Sequence, residues 1–163
     1  MLKWIFNTIV LLLYLLAHSS WAATATTTFQ VTAFVNATCT ISSSPLAFSP
    51  PSYSSAVNLD ATSTLTVNCT NLAPYSIAMG QGNNFSGGTN RMLNGASNFL
   101  NYTLYQDVAR TTTPWTGTGS TPLTNQQGSG ANQIINVYGR VPSGQASAPT
   151  GAYTDSVIAT ITY

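Results

Sequence analysis

Along most of the chain apolar and polar residues alternate one by one, the pattern of half-buried strands, and no helical period follows residue 22. In the segment 24–36, Ala25, Thr27, Phe29, Val31, Ala33 and Val35 share one side of an extended chain, and mainly Thr and Gln occupy the other. This predicts a long amphipathic strand. Alternation returns in Ser63–Thr70, where Leu65, Val67 and Cys69 share a face, and a short strand is predicted at Pro74–Gly80. Asn98–Val108 aligns Leu100, Tyr102, Leu104 and Val108, with Phe99 interrupting the pattern, and Ile134–Val141 follows. The closing run Tyr153–Tyr163 sets Val157, Ala159, Ile161 and Tyr163 against Ile158, Thr160 and Thr162.

Turn chemistry separates these segments. Pro45, Pro50 and Pro51 forbid regular ladder pairing in Ser43–Ser55, and Gly and Asn crowd Gln81–Asn90. Thr111–Gly130, rich in Thr, Gly, Ser, Pro and Gln around a single Trp115, reads as a long exposed loop in which the Trp is a local packing anchor. A further Pro/Gly/Ala-rich connector spans Pro142–Gly151. Short strands at close spacing with turn signals between them predict an all-β sandwich.

The N-terminus follows a different pattern. Lys3 precedes an apolar run from Trp4 to Ala17, broken only by Asn7 and Thr8, which is too short for a comfortable bilayer span. Ser20 and Ala22 then place small residues where an export peptidase cuts, so residues 1–22 read as a cleavable signal peptide rather than a retained anchor. Removing 22 of 163 residues leaves 141, enough for one domain with a substantial core.

Charge is scarce. Once Lys3 is removed, Arg91, Arg110 and Arg140 balance Asp60, Asp107 and Asp155, and no Lys, Glu or His remains, since His18 also lies in the signal. Three scattered arginines cannot form a phosphate-binding face, so nucleic acid is not an expected partner. Without His there is no Ser/His or Cys/His pair, no ordinary metal-ligand set and a thin acid–base inventory, so neither enzyme activity nor a cofactor is expected. Asp107 and Asp155 are expected to form structural ion pairs with Arg110 and Arg140. Cys39 and Cys69, in an exported chain, are expected to pair and to face the core together. Closing a loop of that length stabilises by roughly 3–4 kcal/mol on the chain-entropy model. Asn36, Asn68, Asn84 and Asn101 each open an Asn-x-Ser/Thr triplet, which so Asn- and Thr-rich a chain produces by chance.

The two ends carry the functional question. A long alternating strand precedes the domain, and an apolar strand closes the chain without a polar tail to blunt its edge. Periodicity alone favours residues 25–35 as the first strand of their own sheet. The same ends also suit exchange between copies, in a head-to-tail contact that does not close and therefore grows a filament.

The run NFLNYTLYQDVARTTTPW, Asn98–Trp115, and the closing stretch Val137–Tyr163, with Tyr-Gly-Arg-Val-Pro-x-Gly-Gln at Tyr138–Gln145 and Tyr-x-Asp at Tyr153–Asp155, resemble the spore coat protein U domain family. That family includes subunits of archaic chaperone-usher pili. The resemblance covers nearly the whole chain after the signal. It implies an incomplete immunoglobulin-like β-sandwich, with one disulfide at the paired cysteines, that is completed by a donor strand. It further implies a periplasmic chaperone, an outer-membrane usher and neighbouring subunits as partners, and a route through the periplasm to the cell surface, where the fibre supports adhesion and biofilm formation. On this reading residues 23–36 are the donor segment, with Phe29, Val31, Ala33 and Val35 as its plugs. Residues 37–163 are the domain, with Val157, Ala159, Ile161 and Tyr163 along its acceptor edge. The alternative is a secreted, self-complemented monomer whose Thr111–Gly130 loop contacts carbohydrate or another surface.

Overall fold

The computed structural model describes residues 22–48, 56–95 and 97–163. The chain divides into two units between Phe34 and Val35. Of the predicted signal peptide, all but Ala22 lies outside the described residues, as do Pro50 and Pro51. Residues 22–34 carry no regular secondary structure and are exposed. The strand predicted at 24–36 is therefore not formed in the single chain. A strand exists only through its ladder, and among the described residues no ladder includes this segment.

The second unit is all-β, with no helix among the described residues. Its strands are β1 (Cys39–Ser43), β2 (Leu59–Cys69), β3 (Pro74–Met79), β4 (Asn90–Leu93), β5 (Phe99–Tyr105), β6 (Leu123–Gln127), β7 (Asn132–Val141) and β8 (Ala159–Thr162). They form a five-stranded sheet of order β1-β2-β7-β5-β4 and a three-stranded sheet of order β6-β3-β8, every pairing antiparallel. The central ladder is β2 on β7, continuous from Leu59↔Val141 to Asn68↔Asn132.

Alternation places Leu65, Val67 and Cys69 of β2, Tyr75 and Ile77 of β3, Leu100, Tyr102 and Leu104 of β5, and Val137 and Val141 of β7 in one core. Cys39 and Cys69 are direct cross-strand partners and are joined by a disulfide, which holds β1 on β2 at the start of the domain. After β1, Pro45 cannot extend the ladder. The buried Ser63 hydroxyl bridges to the carbonyls of Ser44 (2.8 Å) and Pro45 (3.0 Å) instead. The chain thus stays against β2 and lays Leu46 and Phe48 over Gly139, where a Cβ would stand 2.8 Å from the Phe48 ring.

Three further expectations are corrected. Thr111–Gly130 is not a long exposed loop, because it contains β6 and buries Trp115 (1% exposed) and Thr116. The Trp115 amide donates to Leu104 O (2.7 Å), and the Thr116 hydroxyl accepts the Leu104 amide (3.0 Å), so the segment docks on β5 and carries the indole inward. β4 follows the Gly/Asn-rich turn directly and is supported by β5. The predicted strand Tyr153–Tyr163 is regular only over β8. Its first half is a strap that changes partner, with Ile158 O accepting Gly80 N–H, Ser156 O accepting Asn83 N–H, and Thr154 exchanging both bonds with Leu93.

The predicted ion pairs are replaced by others. Arg140 forms a fork on Asp60 (Nε–Oδ1 2.7 Å, Nη2–Oδ2 2.8 Å), and Arg110 approaches the same carboxylate at 3.6 Å. Asp107 instead accepts the backbone N–H groups of Thr111 and Thr113, closing the turn after β5. Arg110 lies on that turn and donates to the carbonyls of Ala61 and Gly139, tying it to the β2–β7 ladder.

Because Trp115 anchors this segment in the core, Trp115→Ala is expected to cost about 3–5 kcal/mol in urea unfolding. Val108→Ala, on the same connection but 68% exposed, should stay within about 0.5 kcal/mol of the parent. Near-equal losses at the two positions would contradict this packing.

Candidate functional site

Each sheet has two edge strands, β1 and β4 in the larger and β6 and β8 in the smaller, and β1 and β8 are the two that border the site. On β1 the ladder bonds run through even-numbered residues, with Thr38 O accepting Thr70 N–H (2.9 Å) and Ser44 N–H donating to Thr64 O (2.9 Å). On the terminal strap and β8 the even residues again bond inward, at Thr154, Ser156 and Ile158. Successive peptide groups point to opposite sides of a strand, so the N–H and C=O groups of Cys39, Ile41 and Ser43, and of Val157, Ala159 and Ile161, face outward from their sheets. Among the described residues these two rows of backbone groups have no ladder partner, and they border the site.

Between them the core is incompletely covered. A cavity of about 290 Å³ is lined by Ser43, Ser44, Leu46, Phe48, Leu65, Met79, Met92, Tyr102, Val137, Tyr153 and Val157, among others. A second, of about 610 Å³, shares Leu46, Phe48, Met92 and Tyr153 and continues along Leu59, Leu100 and Ala148–Ala152. The two form one apolar groove. The strands β1 and β8 themselves come within 8 Å by Cα positions. A strand placed between two others needs two spacings of roughly 4.7–4.9 Å each. A strand added between them would have to part the edges there, while beyond Ser43 the described residues already leave a cavity.

Of the predicted acceptor residues, Val157, Ala159 and Ile161 are half-buried and pack against the core, with Val157 in the cavity wall. Tyr163 lies beyond β8 and is 58% exposed. Among the predicted plugs, Phe29 (88%), Val31 (81%) and Val35 (77%) stand in solvent, and Ala33 is exposed too. Sequence reasoning did not find the walls that Leu46, Phe48, Met79 and Met92 supply. The proline-rich context of Leu46 and Phe48 reads as loop, and the methionines stand at the ends of strands with weak alternation.

The floor of the groove carries one polar cluster. The Tyr102 hydroxyl donates to Asp155 Oδ2 (2.7 Å), Asn84 Nδ2 donates to Oδ1 (3.3 Å), and the fully buried Asn90 lies beside them. Gly82 is required here, because a Cβ would collide with the Asp155 carboxylate. Burial, and then the bond to Asp155, push the Tyr102 hydroxyl well above its ordinary range, against a smaller opposing effect of the Asn90 amide. At the domain's other charged point, the Arg140 fork outweighs partial burial, and Arg110 adds to it, so Asp60 titrates below its usual value. No group of three or more His, Cys, Asp or Glu residues suited to a metal occurs among the described residues.

The model of the Spore Coat Protein U domain matches residues 25–160. The chain belongs to that family. It is 39% identical to Protein U of Myxococcus xanthus in an alignment covering 87% of each chain. Its fold is similar to that of a chain in the crystal structure of the CsuC-CsuE chaperone-tip adhesion subunit pre-assembly complex, from archaic chaperone-usher Csu pili of Acinetobacter baumannii. That likeness has a TM-score of 0.53 at 16% identity over 79% of this chain. It spans 40% of the length of the chain it matches. The likeness shows the immunoglobulin-like β-sandwich expected from the sequence.

The two titrations act at opposite ends of the pH scale. Asp60, with a folded pKa below 3.8, stabilises above that value and loses the contribution as pH falls through the folded pKa. Tyr102, raised above 10.0, contributes fully below that value and loses it as pH rises through its higher folded pKa. Urea midpoints are expected to be flat between about pH 5 and 9 and to fall outside that window. Tyr102→Phe should lower the plateau by about 1–3 kcal/mol, since Asp155 loses its buried donor, and should flatten the alkaline limb. An alkaline limb unchanged in the variant would assign that loss to another group.

Proposed function

We propose that this protein is a structural, non-enzymatic subunit of a surface fibre of the chaperone-usher type. Its copies join when residues 23–36 of one enter the groove of the next. The observation that carries this reading is the coexistence of two unpaired edges around an apolar groove with an unpaired, alternating segment in the same chain. Exposed backbone groups and exposed core are both relieved by one added strand. Phe29, Val31, Ala33 and Val35 are the plugs, and Val157, Ala159 and Ile161 form the receiving edge, with Tyr163 at its end.

The reading includes export by a signal peptide cut after Ala22, a periplasmic chaperone that covers the groove until polymerisation, an outer-membrane usher, and a role in adhesion and biofilm formation. A solved likeness from a chaperone-tip adhesion subunit complex of archaic chaperone-usher pili supports it, as does the match to the Spore Coat Protein U domain. The scarcity of ionisable groups fits a structural role.

Full-length protein exported to a periplasm together with its chaperone is expected to run as a ladder of SDS-resistant multimers in unboiled gels. Phe29→Asp with Val31→Asp should abolish the ladder while leaving a folded, disulfide-bonded subunit, because each carboxylate would have to be desolvated in the groove. A soluble, stable monomer from the unmodified chain without chaperone would instead favour the self-complemented binding module.

A further inference from the structure

The outer faces of the two segments carry information that the plugs do not. Along the N-terminal segment the side opposite the plugs reads Thr26, Thr28, Gln30, Thr32 and Phe34, and Phe34 is its single apolar residue, 88% exposed. Along the terminal strap and β8 the outward side reads Thr154, Ser156, Ile158, Thr160 and Thr162, again with one apolar residue, Ile158, 72% exposed.

Resting on the donor-strand reading above, we infer that Phe34 of one copy pairs directly across from Ile158 of the next, and that this contact sets an antiparallel register. If Phe34 faces Ile158 in antiparallel sense, Thr32 faces Thr160 and Gln30 faces Thr162, so every outer pair is like with like. On the inner side the same register puts Val35 beside Val157, in the open part of the groove, and Phe29 beside Tyr163. A parallel arrangement of the same plugs, Phe29 beside Val157 and Val35 beside Tyr163, sets Phe34 against Thr162 and leaves Ile158 facing Gln30.

Hydrogen-bond parity favours the same pair. The carbonyl of Ile158 is used toward Gly80 (2.8 Å), so on its free side Ile158 occupies a non-hydrogen-bonded position, where antiparallel partners bring their side chains closest. An aromatic ring opposite a β-branched residue at such a site is a favourable cross-strand pair. A slip by one residue would turn all plugs to solvent, and a slip by two would leave both Phe34 and Ile158 facing polar partners. The outer pair thus discriminates among registers that the apolar groove alone accepts.

Engineered cysteines test this in the exported full-length chain. Phe34→Cys with Ile158→Cys is expected to give a covalent ladder that survives boiling and collapses on reduction. Phe34→Cys with Thr162→Cys, the parallel alternative, should give at least several-fold less. Thr32→Cys with Thr160→Cys is a second pair in the proposed register and serves if the first variant is not exported. An unmodified chain that forms its SDS-resistant ladder while neither proposed pair cross-links, or while the 34/162 pair cross-links instead, overturns the register and leaves the fibre reading standing. An intramolecular 34–158 bond in a monomer, or the absence of any ladder from the unmodified chain, overturns both.

Discussion

The unpaired strand edge is the constraint on which the rest of this structure depends. A peptide N–H or C=O that is denied both water and a ladder costs free energy comparable to a lost hydrogen bond, and an apolar groove left open exposes surface worth roughly 25 cal/mol per Å². Here β1 and β8 present both defects side by side, with Leu46, Phe48, Met79 and Met92 walling the gap. Many β-proteins blunt such edges with charges, prolines or bulges. β8, reading Ala159–Thr162, carries none of these devices.

The remaining interactions keep that defect open and in one place. The disulfide fixes β1 to β2 next to the groove, so the edge strand cannot peel away. Ser63 continues the attachment beyond the ladder and holds Leu46 and Phe48 in position. Opposite them, the terminal strap is held by its successive partners Leu93, Asn83 and Gly80, and by the Tyr102–Asp155 bond beneath it. Each of these contacts lies on the inner side of an edge strand. None uses the outward-facing backbone groups, which stay available for a partner.

The surface chemistry is consistent with assembly by backbone and packing rather than by charge. With three arginines and three aspartates beyond residue 22, long-range electrostatic steering is weak. The charges present are engaged within the fold. Arg110 and Arg140 converge on Asp60, and Asp107 closes a turn. On the fibre reading proposed above, specificity between copies would rest on side-chain pattern and register, which a strand expresses on its two faces independently.

The sequence by itself determined the features that depend on neighbouring residues. Alternation marked the segments around β2, β3, β5, β7 and β8, the expected export context paired Cys39 with Cys69, and the lack of His, Lys and Glu beyond residue 22 left a thin acid–base inventory. It also placed alternating apolar positions in the segments 24–36 and 153–163. Only the tertiary structure decided what depends on pairing between distant segments. Trp115 is in the core because its segment docks on Leu104, β4 exists because β5 supports it, and both arginines meet Asp60 because β2 and β7 lie side by side. Leu46 and Phe48 wall the groove because Gly139, about ninety residues away, leaves room for them. The physical reason is that a strand's periodicity is written in its own residues, whereas its partner, and therefore its edge, is chosen by hydrogen bonds to a segment that local sequence does not name.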